Sequence, residues 1–261
     1  MHLVAAHAEY HIPTLVQFLK RNTLGLLITN ITSSKEAALQ ASHIPWVIDE
    51  NPDPEQLPKL RGHIARMNPQ VKSIVEQTST QPPIHEGSTA KTLKDEVLIM
   101  FNGPVHGYVS PKFYIETKPS TGKVVPTWDY TSVQAYGVAT VYHDSKSSET
   151  ISFLRNQLDA LTSHSEKDVE GDAWKIDDAP ESYVELLMKN IIGIEIEVTR
   201  LEGRMKMSQD KSFKDRVGVA EGFEGMGTEA GRILAGEVRI YAEVFDEKKK
   251  VRRQQRVDAQ G

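Results

Sequence analysis

Apolar and polar residues alternate with a period of two at 57–66 (LPKLRGHIAR) and again at 132–144 (SVQAYGVATVYHD). That spacing belongs to strands with one face in a core and the other turned away from it. Further strand-like runs lie at 24–29 (LGLLIT), 38–48 (ALQASHIPWVI), 96–103 (EVLIMFNG, apolar through its centre) and 191–207 (IIGIEIEVTRLEGRMKM). Strands separated by helices can build a parallel sheet, but here the links are short and the alternation clean. Both predict an antiparallel barrel with helices packed outside it. A closed barrel also leaves no exposed strand edge. The fold class is therefore mainly β with peripheral helices (α+β).

Helices are predicted at 12–21, 69–77, 183–190 and 148–166, the last with Ser148 as N-cap. Residues 78–94 are rich in Thr, Ser, Pro and Gly and read as a mobile surface loop. The spacing at 228–250 fits helix or strand, and helix is favoured. The expected organisation is one domain over 1–225, with the loop at 78–94 as an insertion. An extension over 226–261 follows, helical and ending in a basic tail.

The chain has 261 residues and no cysteine, which excludes disulfides, thiolate metal sites and cysteine nucleophiles. No apolar run reaches the roughly 18 to 20 residues of a membrane helix, and the start MHLVAAHAEYH lacks the marks of a secretory signal. A cytoplasmic protein without membrane contact is the expectation. Six of the 31 basic residues and one of the 36 acids fall in 248–261, leaving 25 against 35 in the body. Such a body repels nucleic acid, so only the tail offers it a foothold. A solvated helix end is the plainer reading of that tail.

Four polar motifs sit beside the strand runs: GHIARMNP (62–69), FNGPVHGYVSP (101–111), VPTWDY (125–130) and LEGRMKMSQD (201–210). Bends next to hydrogen-bonding side chains are how strand ends build a ligand pocket. Arg66 offers a permanently charged fork suited to phosphate, or else a surface partner for an acid. Ser42 and His43, in SHIPW, can donate to the edge of a flat ring, although a histidine there is more often structural. In FNGPVHGYVSP, Gly103, Pro104, Gly107 and Pro111 predict a tight turn able to cradle an anion, or an ordinary hairpin loop. If 201–210 stays extended, Arg204, Lys206 and Ser208 share one face as a phosphate clamp; a lysine-rich edge is the alternative. No P-loop, GxGxxG, HExxH or GxSxG motif is present, and the nine histidines are scattered without metal-site spacing. No metal is expected.

The wording and order of these motifs resemble the PaiB-type FMN-binding split-barrel proteins, a family described as negative transcriptional regulators. The resemblance spans about residues 1–222 and is most specific in GHIARMNP, F-x-GP…Y-x-SP, VPTWDY-x-x-V-x-A-x-G and the G-x-x-K-x-SQ pattern at 203–209. It implies a split β-barrel, a homodimer and bound FMN. The implied cofactor-binding positions are Ser42, His43, His63, Arg66, Asn68, Trp128, Lys206, Ser208 and Gln209, with His43 as the candidate group near the ring. Three departures stand out: Asp129 and Asp210 occupy positions where the family usually has Asn, and Gln134 one where it has His. Acid-for-amide changes remove N–H donors and add negative charge.

Three functions follow in order: a flavin protein, an oxidoreductase if the flavin turns over; a haem-binding protein with His7, His63 or His106 as axial ligand; and the regulator of the family's name. The acidic body and the lack of a helix-turn-helix weigh against the last.

Overall fold

The computed structural model describes residues 1–258, so the last three residues of the basic tail lie outside it. In chain order the elements are β1 (Ala8–Glu9), α1 (Ile12–Arg21), β2 (Leu24–Asn30), β3 (Leu39–Pro45), β4 (Val47–Asp49), β5 (Lys59–Ala65), α2 (Pro69–Ser79) and β6 (Lys91–Thr92). There follow β7 (Val97–Val109), α3 (Thr117–Thr121), β8 (Thr127–Tyr142), α4 (Ser148–Ser165), α5 (Glu181–Met188), β9 (Ile191–Lys206), α6 (Phe213–Glu224) and α7 (Glu229–Asp258). The chain divides into two compact units. The larger comprises 11–101 and 133–201; the smaller comprises 1–10, 102–132 and 202–261.

In the larger unit the strand order is β3-β2-β7-β8-β9-β5-β4. The ladders with determined register are antiparallel: Leu27 faces Ser42 and Ile99, and His63 faces Gly193. The inward set, including Leu27, Ile44, Leu60, Ile99, Val133, Ile192 and Ile194, is almost fully buried. This is the expected split β-barrel with helices around it. Its hydrogen-bond ladder is not a closed ring, contrary to the simplest reading of the pattern. Its two ends, β3 and β4, are consecutive in the chain and separated only by Trp46. The stretch 38–48, expected as a single strand, bends there because Trp46 is wholly buried and its N–H turns to the Thr23 carbonyl at 2.9 Å. Gly62 makes room for that ring: a Cβ there would lie 3.0 Å from it.

Helix α2 begins as its sequence predicts, with Pro69 first and Asn68 as cap, its Oδ1 accepting the Gln70 N–H at 2.9 Å. Helix α4 corrects one expectation. Its cap position is Ser147, and Ser148 is already helical; the Ser147 hydroxyl accepts from the Thr89 hydroxyl at 2.7 Å instead of capping. The segment 78–94 contains β6, paired with Thr140 and Val141 of β8. Glu149, in the first turn of α4, accepts from the Ser88 hydroxyl and from the N–H groups of Thr89 and Ala90.

Along β9 the buried residues other than Gly193 are even-numbered as far as Val198 and odd-numbered from Leu201, with Thr199 and Arg200 both exposed between them. One extra residue, as in a β-bulge, reverses which side chains point inward.

The smaller unit holds the remaining parts of β7, β8 and β9, with β1 paired to β9 (Ala8 opposite Arg204). Its core joins Val105, Val109 and Met207 to Val219 and Phe223 of α6 and Leu234 and Val238 of α7. The tight turn predicted in FNGPVHGYVSP does not form: β7 continues to Val109 through Gly103, Pro104 and Gly107. Neither glycine has positive φ, so neither makes an anion nest. They are there for space. A Cβ on Gly103 would sit 2.0 Å from the Thr131 hydroxyl oxygen, and one on Gly107 would sit 2.7 Å from Phe223 and Leu234.

Candidate functional site

Five of the residues singled out from sequence lie in the larger unit, and three of them stand in or against the segment that leads into α2. Asn68 donates its amide N–H to the Ser42 hydroxyl at 3.0 Å while its oxygen caps α2. Ser42 is thus an acceptor in that bond, and its own hydrogen is uncommitted among the described contacts. Arg66, two residues before Asn68, donates to the carbonyls of His143 (2.8 Å), Lys189 (3.2 Å) and Ile191 (3.2 Å). Among the described residues it has no carboxylate partner, so its charge is positioned but not neutralised. Arg66 also forms one wall of an open cleft of about 600 Å³, with Lys35 and Lys72, the apolar Val71 and Val75, and Glu36 and Glu76.

The other two do not join them. Ser42 and His43 are neighbours on a strand, so their side chains point to opposite faces, and His43 is exposed. They cannot both reach the same ring edge from one side. His63 stands on the face of β5 opposite Leu60 and Ile64, and its Nδ1 pairs with Oε1 of the fully buried Gln157 of α4 at 2.8 Å. Burial holds its pKa below the usual imidazole range. It reads as a core histidine under a helix.

The smaller unit holds the remaining four. The Lys206 ammonium donates to the Thr127 hydroxyl at 2.7 Å and to the Trp128 carbonyl, and approaches Oδ1 of Asp129 at 3.7 Å. Asp129 is fully buried. Its Oδ2 accepts from the Ser208 hydroxyl at 2.8 Å, but its Oδ1 has no hydrogen-bond partner. Burial pushes its pKa up to about 6, against the opposing pull of Ser208 and Lys206. Burial likewise lowers Lys206, against Asp129. Ser208 does not share a face with Arg204 and Lys206 as extension would require. It lies past the strand end with φ of +55°, the only positive φ at a non-glycine among the described residues, and turns inward. The amide of Gln209 is committed to backbone: it accepts from Met207 N–H at 2.7 Å and donates to the carbonyls of Ala6 and Met205. Trp128 is half exposed, with the rings of His106 and Tyr108 each 6.0 Å away.

Sequence reasoning missed the pairing of His7 with Asp210. These lie 203 residues apart, and the imidazole Nε2 meets Oδ1 at 3.3 Å. The His7 hydrogen bond, with Lys211 beside it, holds the Asp210 carboxyl well below the usual carboxylate range. The buried Tyr114 nearby is pushed up to about 12 by burial, then by Asp129, Asp210 and Asp215. Of the three departures, Asp129 and Asp210 are thus built into this network, whereas Gln134 accepts from the Tyr136 hydroxyl at 3.0 Å.

Residues 1–200 match the family model described as “Putative FMN-binding domain”. The chain is 49% identical over 262 residues to an uncharacterized protein of Aspergillus fumigatus, covering 95% of this chain and all of that one. It is 50% identical over 253 residues to an uncharacterized protein of Emericella nidulans, at the same coverage. It is also 25% identical over 204 residues to the protease synthase and sporulation protein PAI 2 of Bacillus subtilis, covering 78% of this chain and 80% of that one. The segment 203–209 falls beyond the residues matched by the family model.

Proposed function

Because this chain belongs to that family of FMN-binding domains, we propose that it is a flavoprotein working as an oxidoreductase, with the FMN phosphate held at the corner of Ser42, Arg66 and Asn68. The match over residues 1–200 carries the reading. The donor chemistry fits it. A phosphate needs fixed N–H and O–H donors and unneutralised positive charge. Arg66 brings a guanidinium oriented by three carbonyls, and Ser42 brings a hydroxyl oriented by Asn68 with its hydrogen free. The cleft beside Arg66 is of the size that nucleotide cofactors occupy, and its valines offer an apolar wall. FMN, when bound, supplies the electron-transfer chemistry; the protein's part is to orient it and exclude competing reactions.

Titration of the purified protein with FMN, followed by flavin fluorescence, tests the site. Arg66→Ala and Ser42→Ala should each weaken binding about tenfold or more, roughly 1.4 kcal/mol or above. Unchanged affinity in both removes the corner from the site. Lys206→Ala in the same titration tests the contacts carried over by resemblance to the smaller unit. Anaerobic reduction of the bound flavin by NADH or NADPH tests the activity; if neither bleaches the flavin band, the protein binds FMN without this chemistry.

A further inference from the structure

Helix α7 carries two sets of apolar side chains, and the smaller unit buries one of them. Leu234, Ala235 and Val238 are almost fully buried in its core, with Tyr241 packed against them. Ile233, Ile240, Val244 and Val251 form the other set, and each is between 40% and 55% exposed. At 3.6 residues per turn these four fall within roughly 40° of one another, on the side turned away from the buried set. They make a stripe about 27 Å long. Scattered exposed aliphatics are ordinary, but an aligned row along one long helix is the pattern of a helix that pairs with another.

Spacing and charge both bear on what covers it. The intervals along the stripe are seven, four and seven residues, so the row reads the same from either end. Two-fold pairing of identical surfaces requires that, since residue i of one copy meets j of the other while j meets i. With the helices antiparallel, Ile233 meets Val251 of the second copy and Ile240 meets its Val244. The charges follow the same arrangement. Residues 229–247 carry five acids and two bases, whereas 248–256 carries six bases and no acid. Antiparallel packing sets the acidic part of each helix beside the basic part of the other. Parallel packing would bring the two basic parts together, at a Coulombic cost. One layer of the seam is polar: Glu237 comes beside Glu247 of the second copy. Glu247 is already paired with Lys250 at 2.8 Å, which offsets that meeting.

We propose that α7 is an association surface for a second copy of this chain, the two helices packing antiparallel along Ile233, Ile240, Val244 and Val251. The stripe lies beyond the residues matched by the family model, so this contact belongs to the C-terminal extension. The seam spans about two and a half heptads, short of the three to four that sustain a coiled coil alone. The association is therefore weak, and a covalent trap is the suitable probe.

The chain has no cysteine, so introduced thiols are the only ones present. Ile240→Cys and Val244→Cys are made as separate full-length proteins, both at exposed positions where folding is not at stake. Oxidised as an equal mixture, they should give disulfide-linked dimer at least about fivefold above either protein alone, because 240 faces 244 and not itself. Ile233→Asp, added to both proteins, removes the contact with Val251 and should cut that yield several-fold. Equal yields from the mixture and from the single variants would mean parallel pairing or random collision. A yield indifferent to Ile233→Asp would mean collision. Either result overturns the proposal, as does the absence of any cross-link, which would leave the stripe to a partner of another kind.

Discussion

At the scale of single residues, Asp129 is the least comfortable group in the molecule. It is fully buried, with one oxygen bonded to Ser208 and the other unpartnered, 3.7 Å from Lys206. That distance is within ion-pair range but too long for a hydrogen bond. Its pKa of about 6 in the folded protein lies above the ordinary value of 3.8 that it regains on unfolding. The folded state therefore binds this proton more tightly, and the contribution of Asp129 to stability is greatest below about pH 4 and falls as pH rises toward 6. Asp129→Asn removes that dependence. In urea denaturation across this range the variant should gain on the parent above pH 6, by on the order of 2–3 kcal/mol, with the gap closing below pH 4. Parallel pH profiles for the two proteins would refute the assignment. Asp210 has the opposite sign: its lowered pKa gives stability that is present above the ordinary carboxylate range and lost as pH falls through it.

At the scale of elements, β7 shows how the same residues support two readings. Gly103, Pro104 and Gly107 look like punctuation in the sequence, yet the strand runs through all three. Glycine signals a turn when φ must be positive and signals close approach when a neighbour occupies the place of Cβ. Only the neighbours, Thr131 for Gly103 and Phe223 and Leu234 for Gly107, tell the two apart. Gly103→Ala should accordingly destabilise the protein by about 1–3 kcal/mol through overpacking, read as a lower denaturation midpoint. A null effect would mean Thr131 moves aside freely. The segment 81–90 behaves similarly. Its polar composition suggests a free loop, but the Glu149 carboxylate gathers three donors from Ser88, Thr89 and Ala90. Glu149→Ala should therefore raise the rate of limited proteolysis within 80–92 by several-fold. An unchanged cleavage pattern would show that β6 alone holds the segment.

For the whole molecule, none of the helices among the described residues is long and apolar enough to cross a membrane. The half-exposed Trp128 and Tyr108, with His106 beside them, leave an aromatic patch on the smaller unit. Patches of this kind mark association surfaces. We expect a homodimer, so light scattering should return about twice the chain mass of 29.2 kDa; a monomer at all concentrations removes that expectation. The strand runs, most helix positions and the family were legible in the sequence, because periodicity and motif order are local properties that each segment carries by itself. The start of α2 was legible for the same reason, since Asn68 and Pro69 stand side by side in the chain and there act as cap and first residue. Contacts between distant segments were not. The meeting of His7 with Asp210, the capture of His63 by Gln157, the bend at Trp46 and the inward turn of Ser208 depend on partners 23 to 203 residues away or on one backbone angle. Ser42 and His43, alike as polar neighbours in the chain, were separated only when the strand placed them on opposite faces. Local pattern determined which elements form. Packing decided which side chains face one another, because burial and hydrogen-bond satisfaction are settled between elements and not along them.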